Sequence, residues 1–459
     1  MTKITAHSIA GFDMAVSLSR PGEVGYATAT DIWARPSGAP PLAVAHCRTA
    51  VHVQLCVRAA REHGLPLSVR GGGHGWTGNA LCPGGLVIDL TGMRNMSLEA
   101  YGNVLCMGGG TLARDVFRVA DRIGRAAVTG SSGAVGMAGL TLGGGYGALI
   151  GRHGLALDNL LSAQVVLADG SLVMADDVSN PELFWALRGG GGNFGVVTQM
   201  RHRLHALDTV YAGPILYSMA ESRQVLRACA EFLDSAPDDL TVQIGLLAGP
   251  DGQPVLMIAP TWIGHPADAE RQVAPFTLLG KPLAVMLAHR PPGAANSLFD
   301  EHTVNGNDVI MGSRLLPRLE AGSIDAFLAA MQARPSPGCA IVTHEFRGAA
   351  TRVPTHVTAF GLRREHVLVE IVATWERGSD PDSAAALHRA WVSDLSEALA
   401  PFALPGGYAN VLAESDDPEY IRASYGPNAN RLAHAKRTFD PDNVFARAIP
   451  LPTVRSGSV

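Results

Sequence analysis

The residues best suited to chemistry stand together in Leu67-Ser-Val-Arg-Gly-Gly-Gly-His-Gly-Trp-Thr-Gly78. Three consecutive glycines, Gly71, Gly72 and Gly73, cost more backbone entropy than filler warrants. Bare backbone of this kind brings N–H groups against an anion such as a pyrophosphate. Arg70 at the entrance supplies a guanidinium suited to phosphate oxygens. His74, followed by Gly75, sits where its ring meets whatever the glycines hold. Taken alone, the run also fits a surface turn with an incidental histidine.

The wider distribution of glycine favours the ligand reading. Glycine is 52 of 459 residues, above the usual level of about 7%, and the excess is local: 70–78, 108–110, 130–154 and 189–195. The densest stretch, Thr129 to Gly147, contains Gly130, Ser132, Gly133, Gly136, Gly139, Gly143, Gly144, Gly145 and Gly147, poor choices inside a helix or strand. Such a segment can wrap a flat or elongated ligand. Gly190-x-Gly192-x-x-Gly195 matches a dinucleotide pattern, but a Rossmann motif follows a strand and opens a helix. Here the order is helix then strand, which argues against it. No Gly-Lys-Ser/Thr ending exists for a P-loop.

The elements that must position these residues can be read in order. Residues 1–40 look polar and irregular, ending in the loop Pro36 to Pro41. Thr49 to Glu62 has the spacing of a helix, with Val53, Val57 and Ala60 on one face and Gly64 as its stop. Strands are expected at Leu67–Val69, Leu86–Leu90 and Val104–Met107, and a helix at Leu112–Ile123. Asp169-Gly170 predicts a two-residue hairpin turn. Asn180 and Pro181 predict a helix start, with Asn as cap and Pro in the first turn. After residue 206 the glycines thin out. Helices are expected at 225–233, 267–273 and 383–399, and strands at 241–248, 255–262, 339–346, 355–362 and 367–375. Strands followed by helices indicate a separate α+β unit.

Composition narrows the function classes. A formal net charge of −5 and no basic run give no field for nucleic acid. The six cysteines form no C-x-x-C pair, so neither zinc nor dithiol chemistry is expected, and no metal site is. A reduced, cytoplasmic protein is the simplest expectation. Met1 to Gly25 lacks a basic region followed by an apolar core, and no apolar run nears 18 residues, so neither a signal peptide nor a membrane span is expected.

Taken together, Val69-Arg-Gly-Gly-Gly-His74, Leu142-Gly-Gly-Gly-Tyr-Gly147, Gly154-Leu-Ala-Leu-Asp-Asn159, Leu183-Phe-Trp-Ala-Leu-Arg-Gly189, Asn193-Phe-Gly-Val-Val-Thr198 and Phe439-Asp-Pro-Asp-Asn-Val-Phe445 resemble the berberine bridge enzyme-like branch of the vanillyl-alcohol-oxidase flavoproteins. The resemblance covers nearly the whole chain. It implies an α+β fold: a two-subdomain PCMH-type FAD-binding domain (1–205), an inserted substrate domain with an antiparallel sheet plus helices (206–407), and a C-terminal segment (408–459) returning to the FAD domain.

The resemblance also assigns roles. His74 would be bonded to the flavin 8α carbon, and Arg70, Gly71 to Gly73 and Gly75 would hold the pyrophosphate. Thr129, Gly130, Ser132, Val135, Gly136, Gly139, Leu142, Gly143, Gly144 and Gly145, with Asn193, Gly195 and Val197, would line the rest of FAD. Tyr408 and Asn410 match the family's Tyr-x-Asn beside the flavin. Many members carry a second link from a cysteine eleven residues before the Gly-Gly-Gly run; here that position is Ser132, a poor nucleophile without a base. One bond, through His74 only, is therefore expected. Val135 is the valine that leaves room for dioxygen in the family.

The family's catalytic glutamate aligns with Val357, so that role is not inherited. Glu345, in an otherwise apolar strand and on one face with Thr343 and Arg347 by alternation, is the replacement base; a salt bridge with Arg347 or Arg352 is its bland alternative. Tyr408 would polarise or deprotonate a substrate hydroxyl, unless its ring merely packs. His344 and His356 read as structural by the same alternation. The expected activity is an FAD oxidase acting on a C–H next to oxygen or nitrogen of a small molecule, with dioxygen as second partner, in a monomer or homodimer. A dehydrogenase using another acceptor, or a flavin-loaded binding protein, are the alternatives.

Overall fold

The computed structural model describes residues 16–453 apart from 36–37, 299, 301–302 and 379. The sequence expectations for residues 1–15 and for Pro36-Ser37, and the end of the tail at 454–459, lie outside the described residues.

Three sheets carry the molecule. The first has four strands in the order Ser17–Ser19, Ala43–His46, Leu86–Asp89, Leu67–Arg70. The last three run parallel, and in register Arg70 and His46 flank Asp89 from opposite sides. Helix Ala50–Glu62 covers this sheet, capped by the Thr49 side chain and burying Val53, Cys56, Val57 and Ala60. Residues 16–35, expected to be irregular, hold instead the strand Ser17–Ser19 and a short helix, Val24–Thr30. That strand exists because it pairs with Ala43–His46, a tertiary contact that no local pattern announces.

The second sheet is antiparallel, in the order Met96–Glu99, Val104–Gly108, Val196–Ala206, Leu160–Val166, Leu172–Ala175, with Arg125–Ala127 joined to the far end of Val196–Ala206. A hairpin turn forms here, but over the three residues Ala168-Asp169-Gly170 rather than the expected two: Gly170 N donates to Leu167 O and Leu167 N to Ser171 O, with the Asp169 carboxylate accepting from Ser171 N at 2.8 Å. Helix Pro181–Gly190 starts with Pro in its first turn, but Asn180 does not cap it. Asn180 lies at φ 51°, in the left-handed region rather than the extended one of a cap, and its side chain is turned to donate Nδ2 to Met174 O.

The third sheet has nine strands. Its main path is Ala284–Val285, Ile215–Ser218, Pro254–Trp262, Leu240–Ala248, Cys339–Phe346, His366–Trp375, Asp308–Leu316. Helices Ser222–Leu233, Ala321–Gln332 and Pro381–Leu399 bury one face. The opposite face turns to the glycine-rich region, where Leu315, Phe346 and Leu368 pack with Tyr146, Leu155 and Tyr408.

Segment 355–362 is not the strand its composition predicts; only a short turn, Thr355–Val357, is regular. Side chains take its carbonyls: Trp185 Nε1 donates to His356 O, and Asn428 Nδ2 to Thr355 O and Thr358 O. The backbone groups a strand partner would use are spoken for. The tail helices Pro418–Tyr425 and Ala429–Phe439 return to the core of the second sheet, and Phe445 to that of the first. No helix among the described residues is long and apolar enough to cross a membrane.

Candidate active site

The glycine runs meet one another. Gly72 presses on Gly136, so that a Cβ on Gly72 would lie 2.7 Å from Gly136 Cα, while Gly71 faces Gly109 O. Two bare backbones can cross this closely only without side chains. Arg70 lies 3.7 Å from Asp89, which also accepts from Thr91 N and Oγ1; its Nε is enclosed and lacks a partner. Gly75 and Gly139 look onto open space.

His74 stacks on Trp33 with centroids 4.5 Å apart and planes 16° from parallel. Its Nε2 is buried without a hydrogen-bond partner. Burial lowers the pKa, which favours the neutral, nucleophilic imidazole.

The stretch 129–147, despite its many residues poorly suited to a helix, contains a short helix, Met137–Gly143. Its end is set by the tail. Asn410 lies directly against Gly143, and a Cβ on Gly144, at φ +149°, would come 2.8 Å from the Tyr408 ring. Tyr408 Oη accepts from Gly145 N at 2.9 Å and from Asn410 Nδ2 at 2.8 Å; Asn410 Nδ2 also donates to Leu140 O. The phenol is buried, and burial raises its pKa, so it holds its proton. Thr129 Oγ1 turns onto Gly130 O, and Leu142 O accepts from Gly191 N. Ser132 Oγ donates to Asp300 Oδ1 at 3.0 Å, and half-buried Val135 gives its carbonyl to Ala113 N.

Three predicted cofactor residues have interior bonds instead. Asn193 Nδ2 donates to Gly190 O and Ile449 O, Gly195 packs on Val165 and Val166, and Val197 sits in the core behind Gly109.

Opposite the glycine segment lies a cleft with about 580 Å³ of empty space, lined by Ser131, Gly147 and Ala148 on one side and by Gln243, Thr261, His344 and Glu345 on the other. Glu345 is buried, and its pKa is pushed up to about 7 by desolvation, against the opposing pull of Val242 N–H and Arg347. Its Oε2 accepts from Val242 N at 2.6 Å, and Oε1 lies 3.8 Å from Arg347. Thr343 Oγ1 likewise accepts from Ile244 N, and Arg347 donates to Ala236 O. The expected alternation therefore holds, and this row fills the gap where the main-chain pairing of Leu240–Ala248 with Cys339–Phe346 runs out after two residue pairs.

The other row of the strand holds His344, read from sequence as structural. His344 stands beside Gln243 at 3.4 Å and 3.4 Å from Glu370 on the neighbouring strand. Tyr146 packs edge-on to Tyr408 at 4.8 Å and bonds His366 Nε2 at 2.8 Å. His366 Nδ1 faces Arg364 O at 2.6 Å, so Nε2 is the acceptor and Tyr146 the donor. Glu370 is, like Glu345, a carboxylate amid an apolar run, 366–375.

Comparison with known proteins decides the family. A model described as FAD binding domain matches residues 41–176, and one described as berberine and berberine-like matches 407–450. The (R)-6-hydroxynicotine oxidase of Paenarthrobacter nicotinovorans is 31% identical over 461 residues, covering 94% of this chain and 97% of that protein.

The chain belongs to the berberine bridge enzyme-like family of FAD-linked oxidoreductases.

As a member of this family it shares its fold with the crystal structure of 6-hydroxy-D-nicotine oxidase from Arthrobacter nicotinovorans, at 29% identity and a TM-score of 0.84, over 95% of this chain and 98% of that one. The glucooligosaccharide oxidase of Acremonium strictum, 23% identical, matches in fold with a TM-score of 0.83 over 98% and 97% of the two chains. The residues present fit FAD. The unpartnered His74 Nε2 and Arg70 Nε and the open space before Gly75 and Gly139 provide donors and room where the family motif places the cofactor.

Proposed function

We propose that this family member is an FAD-dependent oxidase. It would take a hydride from a C–H next to oxygen or nitrogen of a small, secondary-metabolite-like molecule, with dioxygen as acceptor and hydrogen peroxide as product. FAD, when bound, supplies the hydride acceptor and the route of the electron pair to dioxygen. What this chain supplies is attachment, orientation and proton handling. His74 would hold the cofactor covalently, and the enclosed, partnerless, neutral imidazole stacked on Trp33 is the observation that carries this reading. Ser132 would form no second bond, since its hydroxyl is engaged by Asp300. Arg70 and the 71–75 backbone would take the pyrophosphate.

Glu345, which reaches the cleft lining from the row behind His344, is the proposed proton acceptor, because its pKa of about 7 places it near the working range of a general base. Tyr408, with both acceptor positions filled, would act as a neutral phenol that orients a substrate heteroatom and holds Gly145 and Asn410. We assign residues 1–205 and 408–459 to the FAD side and 206–407 to the substrate side. All six cysteines are free and buried, as a reduced, cytoplasmic setting would keep them.

The test is direct. Denatured protein should stay yellow and carry the mass of one flavin, and His74→Ala should release its flavin into an acid supernatant. Complete release from the wild-type protein rules the attachment out. Anaerobic bleaching by candidate alcohols, amines and sugars, followed by peroxide measurement in air, then separates an oxidase from a dehydrogenase.

A further inference from the structure

His74 stands between Gly73, at φ +71°, and Gly75, which looks onto open space. Neighbours without side chains give the imidazole nothing to lean on along its own chain. What restrains it is Trp33, stacked on it at 4.5 Å with the planes 16° apart. Trp33 is itself anchored from two sides. Its main-chain N donates to Gly73 O at 3.1 Å, one residue before the histidine. On the other side Gly306 N donates to Trp33 O at 3.1 Å and to Ile32 O at 3.0 Å, Arg35 donates to Gly306 O, and Asn305 Nδ2 donates to Asp31. Ile32 fills the space against Gly73, where a Cβ would lie 2.8 Å from its Cγ2. Segment 31–35 is thus clamped between the glycine loop and the chain leading into strand Asp308–Leu316.

Stacking has a chemical consequence. The lone pair of a neutral imidazole nitrogen lies in the plane of the ring. A ring pressed flat on an indole presents its edge, and Nε2, buried without a hydrogen-bond partner, is on that edge. The indole also keeps water from one face. Burial is the larger influence on His74 and favours the neutral form, against the opposing pull of Glu370 and Asp300. On the loop and on segment 31–35 the charges are engaged elsewhere, Arg70 by Asp89, Asp31 by Asn305 and Arg35 by Asp308.

We infer that Trp33 is the positioning residue for covalent attachment of the flavin: it fixes the plane of the His74 ring and keeps that ring dry, so that a nitrogen lone pair meets the 8α carbon. The inference rests on the reading of His74 as the attachment point. In the attachment step one C–H bond of the 8α methyl group and one imidazole N–H bond break, and one C–N bond forms. Two protons and two electrons pass to the flavin ring and from there to dioxygen, which leaves as hydrogen peroxide. Trp33 exchanges nothing and acts only through His74.

The experiment uses the full chain made flavin-free in riboflavin-starved cells, with saturating FAD then added in air. Attachment is followed as flavin that stays with acid-precipitated protein. Poor placement of a reacting group costs on the order of 10²-fold. Trp33→Leu, which keeps apolar bulk but no flat face, should therefore attach flavin about 10²-fold more slowly than wild type. Trp33→Phe, which restores a flat ring, should stay close to the wild-type rate. In Trp33→Ala, with water admitted to the imidazole, the acid limb of the attachment rate should move up toward the ordinary histidine pKa of 6.5. Equal rates in the Leu and Phe variants overturn the inference. So does a deficit that more FAD removes, because the indole then serves binding rather than orientation. An acid limb that stays in place in Trp33→Ala overturns it as well; should that variant not fold, the Leu and Phe pair decides. If the wild-type protein takes up no acid-stable flavin, the reading of His74 itself fails.

Discussion

The wall of the cleft that carries the glycine runs makes its shape by omitting side chains, whereas the wall formed by the nine-stranded sheet makes its shape by placing them. On the first wall the decisive contacts are backbone against backbone, Gly72 on Gly136 and Gly71 on Gly109, or tail side chain against backbone, Asn410 on Gly143 and Tyr408 on Gly144. On the second they are side chains in alternating rows, Thr343, Glu345 and Arg347 behind, His344 and Glu370 in front. The first wall has few sequences that can build it, so it suits an invariant cofactor. The second keeps its backbone while its side chains vary, so it suits a substrate that differs between relatives.

The largest effects should come from adding atoms to the first wall. Gly72→Ala has no relaxed solution because the neighbour is main chain rather than a flexible side chain, so a cost of about 3 kcal/mol, at the high end for overpacking, is expected. Flavin content per protein should collapse, and the thermal midpoint should fall. Retention of flavin at the wild-type level would show that the crossing at Gly136 is loose and that the contrast between the walls is weaker than drawn.

Next come the two acid–base candidates. Glu345→Gln keeps shape and removes charge, and Tyr408→Phe removes one hydroxyl. At least one should slow anaerobic flavin reduction by about 10²-fold, the usual worth of a placed base or donor, with flavin content unchanged. Wild-type rates in both would move the proton to another residue or to water.

The same two variants should differ in stability. Tyr408→Phe leaves Gly145 N–H and the Asn410 amide short of an acceptor, a loss on the order of 1–3 kcal/mol. Glu345 works the other way with pH. Its folded pKa, about 7, exceeds the ordinary value of 4.5, so the fold binds more protons than the unfolded chain between those values. Its contribution is fully present below the ordinary pKa and is lost as pH rises through 7. At pH 8, Glu345→Gln should therefore be more stable than wild type by something on the order of 1–2 kcal/mol in urea titrations, and the gap should close near pH 4. A gap that does not change with pH would mean that the carboxylate is well solvated.

The smallest expected effect is a general one. His202, buried with a pKa of about 4, and His205, partly buried with a pKa of about 3, must be neutral in the fold. Both bind protons more readily when unfolded. The stability they protect is complete above the ordinary histidine pKa and declines as pH falls from there toward 4. Replacing His205 by Gln should flatten that acid limb without altering flavin reduction.

The contrast between the walls also explains what could be read in advance. The Gly71–Gly73 and Gly143–Gly145 runs were legible because a surface made of absent side chains leaves a compositional mark, whereas Tyr408 and Asn410 stood out only through the family resemblance. Helix Ala50–Glu62 and the place of the hairpin turn at Asp169-Gly170 were legible because local pattern and fold agree, though the turn takes one residue more than the two expected. His344 was not placed in the cleft lining because a single polar residue in an apolar strand carries no mark of which face looks into a cleft; that depends on which side the helices cover. The strand expected at 355–362 failed for a similar reason, since Trp185 and Asn428, distant in sequence, take its carbonyls. Strand Asp308–Leu316 and helix Ala321–Gln332 are not announced by local pattern either. Gly312 and Ser313 blur the strand pattern, and the small residues of the helix blur its apolar stripe.

The return of the tail has a consequence for the order of assembly. The bond from Gly145 N to Tyr408 Oη joins positions 263 residues apart, and Phe445 reaches the first sheet from farther still. A chain made from its N-terminus completes the glycine wall long before the residues that brace it exist, and closing so long a loop is slow. The growing polypeptide therefore carries an unbraced groove through most of its synthesis. A glycine wall braced by Tyr408 and Asn410 exists only after the segment that carries them has been made.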